Sequence, residues 1–202
     1  MCKARDYLIC LTTIKTGTRP GVLETVTLQH YNTMKRENET DKLVLLVPDH
    51  KRGVVVPALI GLENKLEEFF KIYAQKICPK FGDCCANLFV TSEGLAFTKG
   101  TLCTRLPELW SRLGVRSDLR VTATNIRKWI VTTCHEKKTR GVKFDKDIVR
   151  QGLCHSDKTV KSFYLRSDLT SVAAQAVEII AMCTSKKPKE TPVKSALMPV
   201  AE

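Results

Sequence analysis

The 202-residue chain lacks any apolar run close to the ~20 residues needed to cross a bilayer. Its opening residues, Met1-Cys2-Lys3-Ala4-Arg5-Asp6, lack the apolar core and small-residue cleavage site of a secretory signal. We therefore expect a soluble intracellular protein with no membrane partner. A disulfide framework is missing too: there are nine cysteines, an odd number at irregular spacing. Cys78, Cys84 and Cys85 lie close together without the Cys-x-x-Cys spacing of a zinc knuckle, and Cys134-His135 has no partner pair. A reducing compartment is expected, with most cysteines acting as small core residues and no metal or cofactor. No internal repeat is present. Acid is scarce as well: 21 Asp and Glu face 33 Lys and Arg, for a net charge of +12. Such a surface attracts polyanions, of which nucleic acid is the commonest. The bases cluster locally at Lys35-Arg36, Lys137-Lys138-Thr139-Arg140 and Lys186-Lys187.

What the chain does have is ordinary globular usage, 43% apolar and 27% charged, and enough length for one domain with a real core. Tyr7, Leu8, Leu11 and Ile14 recur at helical spacing, so the first sixteen residues read as a helix ended by Gly17. Thr18 can cap the next helix, with Pro20 in its first turn and Val22, Leu23 and Val26 as its apolar face. "NTMKRENETD" reads as a loop. "KLVLLV" and "VVVPAL" read as a hairpin whose turn holds Lys51. Leu62, Leu66, Phe69, Phe70, Tyr73 and Ile77 mark a long amphipathic helix. "NLFVTSEGLAF" suggests a short strand or turn, and "TKGTLCTRLPELWSRLGV" a helix broken near Pro107. "TATNIRKWIVTTCHE" is a helix capped by Thr122 or Thr124, with Ile126, Trp129 and Ile130 facing inward. "FDKDIVRQGLC" is a short helix ending near Gly152. A final helix carries the stripe Leu169, Val172, Ala173, Ala176, Val177 and Ile180. The fold class is mainly α with a small antiparallel β-sheet. We expect one domain over 1–184 and a disordered basic tail over 185–202.

Breaking a phosphodiester without a metal requires a nucleophile in line with the leaving oxygen. Fixed cations must hold the non-bridging oxygens, and a donor must protonate the departing 5′ oxygen. Arginine suits phosphate because its planar fork stays charged. A phenol attacks well only beside a base or in a strongly positive field. Arg19, Lys51, Arg127, His155 and Tyr164 all fall at predicted element boundaries, where scaffolds present side chains to ligands. Taken singly, each has an ordinary structural explanation: a surface charge, an edge-protecting lysine or a core phenol.

In order along the chain, "TGTRPGVL", "VPDHKRGVVVPAL", "TNIRKW" and "GLCHSDKTVKSFY" resemble the boxes of the tyrosine recombinases, the phage-integrase superfamily. The narrower likeness is to recombinases of Crypton-type DNA transposons. The resemblance spans about residues 5 to 182. It implies the DNA breaking-rejoining fold of the recombinase catalytic domain and a nuclear protein acting on double-stranded DNA. Tyr164 would attack the scissile phosphate, Arg19 and Arg127 would bind it, Lys51 would protonate the leaving oxygen, and His155 would donate a hydrogen bond to the phosphate. No cofactor is implied, and protomers would associate on DNA through the last helix.

Two departures stand against the family pattern. Its His-x-x-Arg box reads Thr124-Asn125-Ile126-Arg127, so a hydroxyl replaces an acid-base imidazole. The sequence also begins only eighteen residues before Arg19, so we expect the helical core-binding domain of the family to be absent. Site-specific recombination, in full or degenerate form, is therefore weighed against a non-catalytic DNA-binding or regulatory role on the same scaffold. A protein-interaction role of the last helix is the remaining alternative. A type IB topoisomerase would share the chemistry, but the spacing from His155 to Tyr164 fits recombinases better.

Overall fold

The structure is a computed structural model that describes residues 1–38, 40–48, 57–82, 85–114, 121–145, 148–149, 152–153 and 168–184. Helix α1 (Cys2–Thr16) packs against the sheet and most of the other helices, with Lys3 and Tyr7 left exposed. A helix buried over most of its surface is usually apolar there, yet α1 is rich in threonine. Its buried hydroxyls find partners within the helix: Thr12, Thr13 and Thr16 donate to the carbonyls of Leu8, Ile9 and Thr12 at 2.7, 2.9 and 2.7 Å. Its first turn buries a charged pair. Arg5 Nε and Nη2 donate to Asp6 Oδ1 at 2.9 and 2.7 Å, and Arg5 Nη1 donates to the Val90 carbonyl at 2.7 Å. The Arg5 guanidinium also lies 5.4 Å from the Phe97 ring centroid. The buried charge is thus matched on several sides.

Gly17 ends α1 in the left-handed region at φ 66°, as the sequence suggests. Helix α2 (Pro20–Leu23) follows, but Arg19 rather than Thr18 occupies its N-cap. The Thr18 hydroxyl is instead paired with that of Thr16 at 2.6 Å. Helix α3 (Leu28–Asn32) leads into β1 (Lys35–Arg36), a short edge strand inside the stretch that reads as a loop. β2 (Leu43–Val47) pairs antiparallel with β1 and with β3 (Ala58–Leu62), in the order β1-β2-β3. Of "VVVPAL", Ala58 and Leu59 lie in β3, while Val54, Val55 and Val56 lie outside the described residues. The register Leu43↔Leu62 to Val47↔Ala58 sets Leu45 opposite Ile60, both fully buried.

Helix α4 (Asn64–Ile72) continues through a π-helical turn, Tyr73–Ile77, and a 3₁₀ turn, Cys78–Phe81. "NLFVTSEGLAF" holds isolated bridges, Val90↔Ala96 among them. Helix α5 (Thr101–Arg112) runs unbroken through Pro107, against expectation. Proline forfeits one ladder bond, while burial of Leu102, Leu106, Leu109 and Trp110 on both sides of it holds the helix together. Helix α6 (Ala123–Thr139) is capped by Thr122, whose hydroxyl accepts from the Asn125 N–H at 3.2 Å. Ile126 and Ile130 face inward, but Trp129 is 47% exposed. The buried side of α6 runs through Arg127, Ile130 and Cys134, and Trp129 lies nearly opposite Arg127 around the helix.

The last helix, α7 (Asp168–Thr184), buries Ala173, Ala176, Val177 and Ile180 against β2, β3, α1 and α6. It approaches β3 closely: a Cβ added at Gly61 would stand 2.6 Å from Val177 Cγ2 and 2.9 Å from the Ala173 carbonyl oxygen. The side chains of Leu169 and Val172, the residues Lys146, Asp147, Arg150, Gln151 and Cys154 of "FDKDIVRQGLC", and the tail over 185–202 lie outside the described residues. Among the described residues the chain is mainly helical with one small antiparallel sheet, and no helix is long and apolar enough to cross a membrane. Cys10, Cys78, Cys134 and Cys183 are buried free thiols, as expected of core cysteines.

A candidate phosphate-binding cleft

Arg19 is displayed by a reversal of the chain. Gly17 turns out of α1 with its N–H still bonded to the Thr13 carbonyl at 3.0 Å. The backbone then extends at Arg19 (φ −69°, ψ 131°), and Pro20 opens α2 with a φ suited to a first helical turn. The Arg19 side chain is exposed. Opposite stands the beginning of α6, where Thr124 and Lys128 share one side of the helix four positions apart. Between them is a cleft of about 450 Å³, lined by Arg19, Cys103, Thr122, Thr124, Arg127 and Lys128 among others.

Arg127 sits at the back of this cleft, 8% exposed. Its Nη1 donates to the Gly17 carbonyl at 2.7 Å and its Nη2 to the Leu153 carbonyl. These bonds use two of the five donors of a guanidinium. They join the turn that carries Arg19 to the segment that precedes His155. The joint is tight: a Cβ at Gly17 would collide with the Leu153 side chain, and one at Gly152 with Ala176 of α7. The Leu153 N–H bonds back to the Val149 carbonyl at 3.0 Å.

The local charge is positive. None of the described lining residues is acidic. The nearby Glu24 is buried and committed elsewhere: its carboxylate accepts from the Gly100 N–H at 2.8 Å and the Leu102 N–H at 2.6 Å, capping α5 from outside. The N-terminal end of α6 adds its share of positive potential. Partial burial, helped by the charge of Glu24, raises the Cys103 thiol above its usual pKa, against the Gly21 main chain and Arg19, which pull it down. Two arginines, a lysine and two threonine hydroxyls around one opening suit an oxyanion with several oxygens.

Of the residues singled out in the sequence, Arg19, Thr124 and Arg127 come together here. Lys51, His155 and Tyr164 lie outside the described residues. Lys51 falls in the connection between β2 and β3, and His155 two positions after Leu153. Sequence reasoning overlooked Lys128, though its place four residues after Thr124 was a usable signal. It also missed Glu24, whose partners are 76 and 78 residues away. No family model, curated protein or solved structure matches the chain.

Proposed function

We propose that the cleft binds a phosphate of double-stranded DNA and that the protein breaks and rejoins the strand through a tyrosine nucleophile. The observation that carries this reading is the convergence of Arg19, Arg127 and Lys128, from segments far apart in sequence, on one opening without an acidic neighbour among its described lining residues. In the proposed reaction the Tyr164 hydroxyl gives up its proton to solvent water, and its oxygen attacks phosphorus as the bond to the 5′ oxygen breaks. The departing oxygen takes a proton from Lys51, and His155 donates a hydrogen bond to the phosphate. The 3′-phosphotyrosyl link retains the energy of the phosphodiester, so a second 5′ hydroxyl can reverse the step. Arg19, the exposed arginine, is the main phosphate ligand, while Arg127 fixes the two segments that approach it. Assembly on DNA through α7 would use its exposed side, near Glu178 and Met182, since the opposite side is buried within the chain.

A second reading, DNA binding without cleavage, is favoured by Thr124 in place of an imidazole and by the bonds from Arg127 to main-chain carbonyls. A nicked suicide duplex separates the two. Cleavage predicts a covalent protein–DNA adduct that Tyr164→Phe abolishes. Duplex binding with no adduct in the unaltered protein supports the second reading.

A further inference from the structure

Helix α6 presents an outer face that the fold leaves open. Ile126, Ile130 and Cys134 are buried with Arg127, while Asn125, Lys128, Trp129 and Thr132 are exposed. Trp129 is 47% exposed, whereas Trp110, the other tryptophan, is 8% exposed. Among the described residues no ring or cation contacts the Trp129 indole. The adjoining Lys128 lines the cleft. Further along the side that carries Trp129 come Glu136 and Arg140, while Lys138 stands on the other side of the helix, where its Nζ donates to the Phe144 carbonyl at 3.3 Å. From Lys128 to Arg140 the helix rises about 18 Å at ~1.5 Å per residue.

The chemistry of this face selects its partner. A single indole set among Asn125, Lys128 and Thr132 offers little to an apolar peptide, and the cations of Lys128 and Arg19 repel a basic one. A chain that is anionic at regular intervals and also carries flat rings satisfies both features. In an intact duplex the faces of the bases are covered by their neighbours, so an exposed indole gains most from a base that is unpaired. We propose that Trp129 is a stacking platform for an unpaired base, and that single-stranded nucleic acid runs from the Arg19 cleft across Lys128 and Trp129 toward Arg140. This rests on the phosphate reading of the cleft and adds to it a residue that recognises strand opening.

The test measures binding of the full chain, at 50 mM salt or below, to a labelled 12-nucleotide oligothymidine and to a 12-base-pair duplex. Trp129→Ala is expected to weaken oligothymidine binding about tenfold and duplex binding less than twofold, while Trp129→Phe stays within about threefold on both. Oligothymidine should also quench the tryptophan emission of the unaltered protein and leave that of Trp129→Phe unchanged. Because the side chain is exposed, the variants should melt with the unaltered protein. Should one not, the quenching comparison decides. Duplex binding combined with a Trp129→Ala protein that holds oligothymidine normally would overturn this inference and leave the proposed function standing. No binding to either nucleic acid would overturn both. A polyglutamate that competes with oligothymidine at equal charge, with Trp129→Ala without effect, would assign the face to an acidic peptide instead.

Discussion

Arg127 donates a hydrogen bond to the main-chain carbonyl of Gly17 across 2.7 Å, joining positions 110 residues apart. With its second bond, to Leu153, it makes one side chain the link between the Arg19 turn, α6 and the segment that enters the His155 region. A buried arginine held this way serves folding as well as any chemistry at the cleft.

Arg127→Ala should therefore lower stability by about 2–4 kcal/mol, because two buried carbonyls lose a charged donor. Urea unfolding followed by circular dichroism measures it. Arg127→Lys should recover less than half of the loss, since an ammonium cannot reproduce a planar fork reaching two carbonyls. At temperatures where Arg127→Ala remains folded, DNA cleavage should be lost while much of the nonspecific binding persists.

Glu24 is expected to matter for α5 rather than for the cleft. Replacing it with Gln keeps the size but leaves one carbonyl oxygen where the carboxylate has two, each with an N–H donor. Glu24→Gln should cost about 1–2 kcal/mol in the same unfolding experiment. Amide exchange should quicken first in residues 100–104, at the start of α5.

Alkaline pH should destabilise the fold. Burial pushes the Cys10 and Cys134 thiols from an ordinary 9.0 up to about 12. Below pH 9 these thiols are protonated whether or not the chain is folded. Between pH 9 and 12 the unfolded chain loses these protons while the folded chain keeps them, so stability falls as pH rises. The slope is up to about 1.4 kcal/mol per pH unit for each thiol. Thermal melts from pH 8 to 11 should show Tm declining, and less steeply in Cys10→Ala.

Much of the fold follows from local pattern. The spacing in α1, the apolar run of β2 and the small-residue stripe of α7 are signals that later burial merely completes. What escapes local pattern depends on partners distant in the chain. Arg5 and Asp6 look like surface charges at a chain start, but α1 is enclosed by α5 and the 88–97 segment, so they must pair with each other and with Val90. Trp129 reads as an inward residue beside Ile126 and Ile130, yet it stands exposed, while Arg127 turns inward on another side of α6 to reach two carbonyls. Pro107 reads as a break, and the buried leucines on either side override it. At the candidate site, the order of the motifs placed Arg19 and Arg127 together. Lys128 needed the helix to bring it to the same opening.

The central claim is that the Arg19 cleft is where a nucleic-acid phosphate sits. Side-chain and backbone amide NMR during titration with a short duplex at low salt tests it most directly. The account predicts that the Arg19 Nε–H and the amides of residues 122–128 move first and together, and that Arg19→Ala together with Lys128→Ala removes those shifts while the fold is kept. Shifts that spread evenly over the basic surface, or that leave Arg19 and the start of α6 unmoved while the duplex binds, would contradict it.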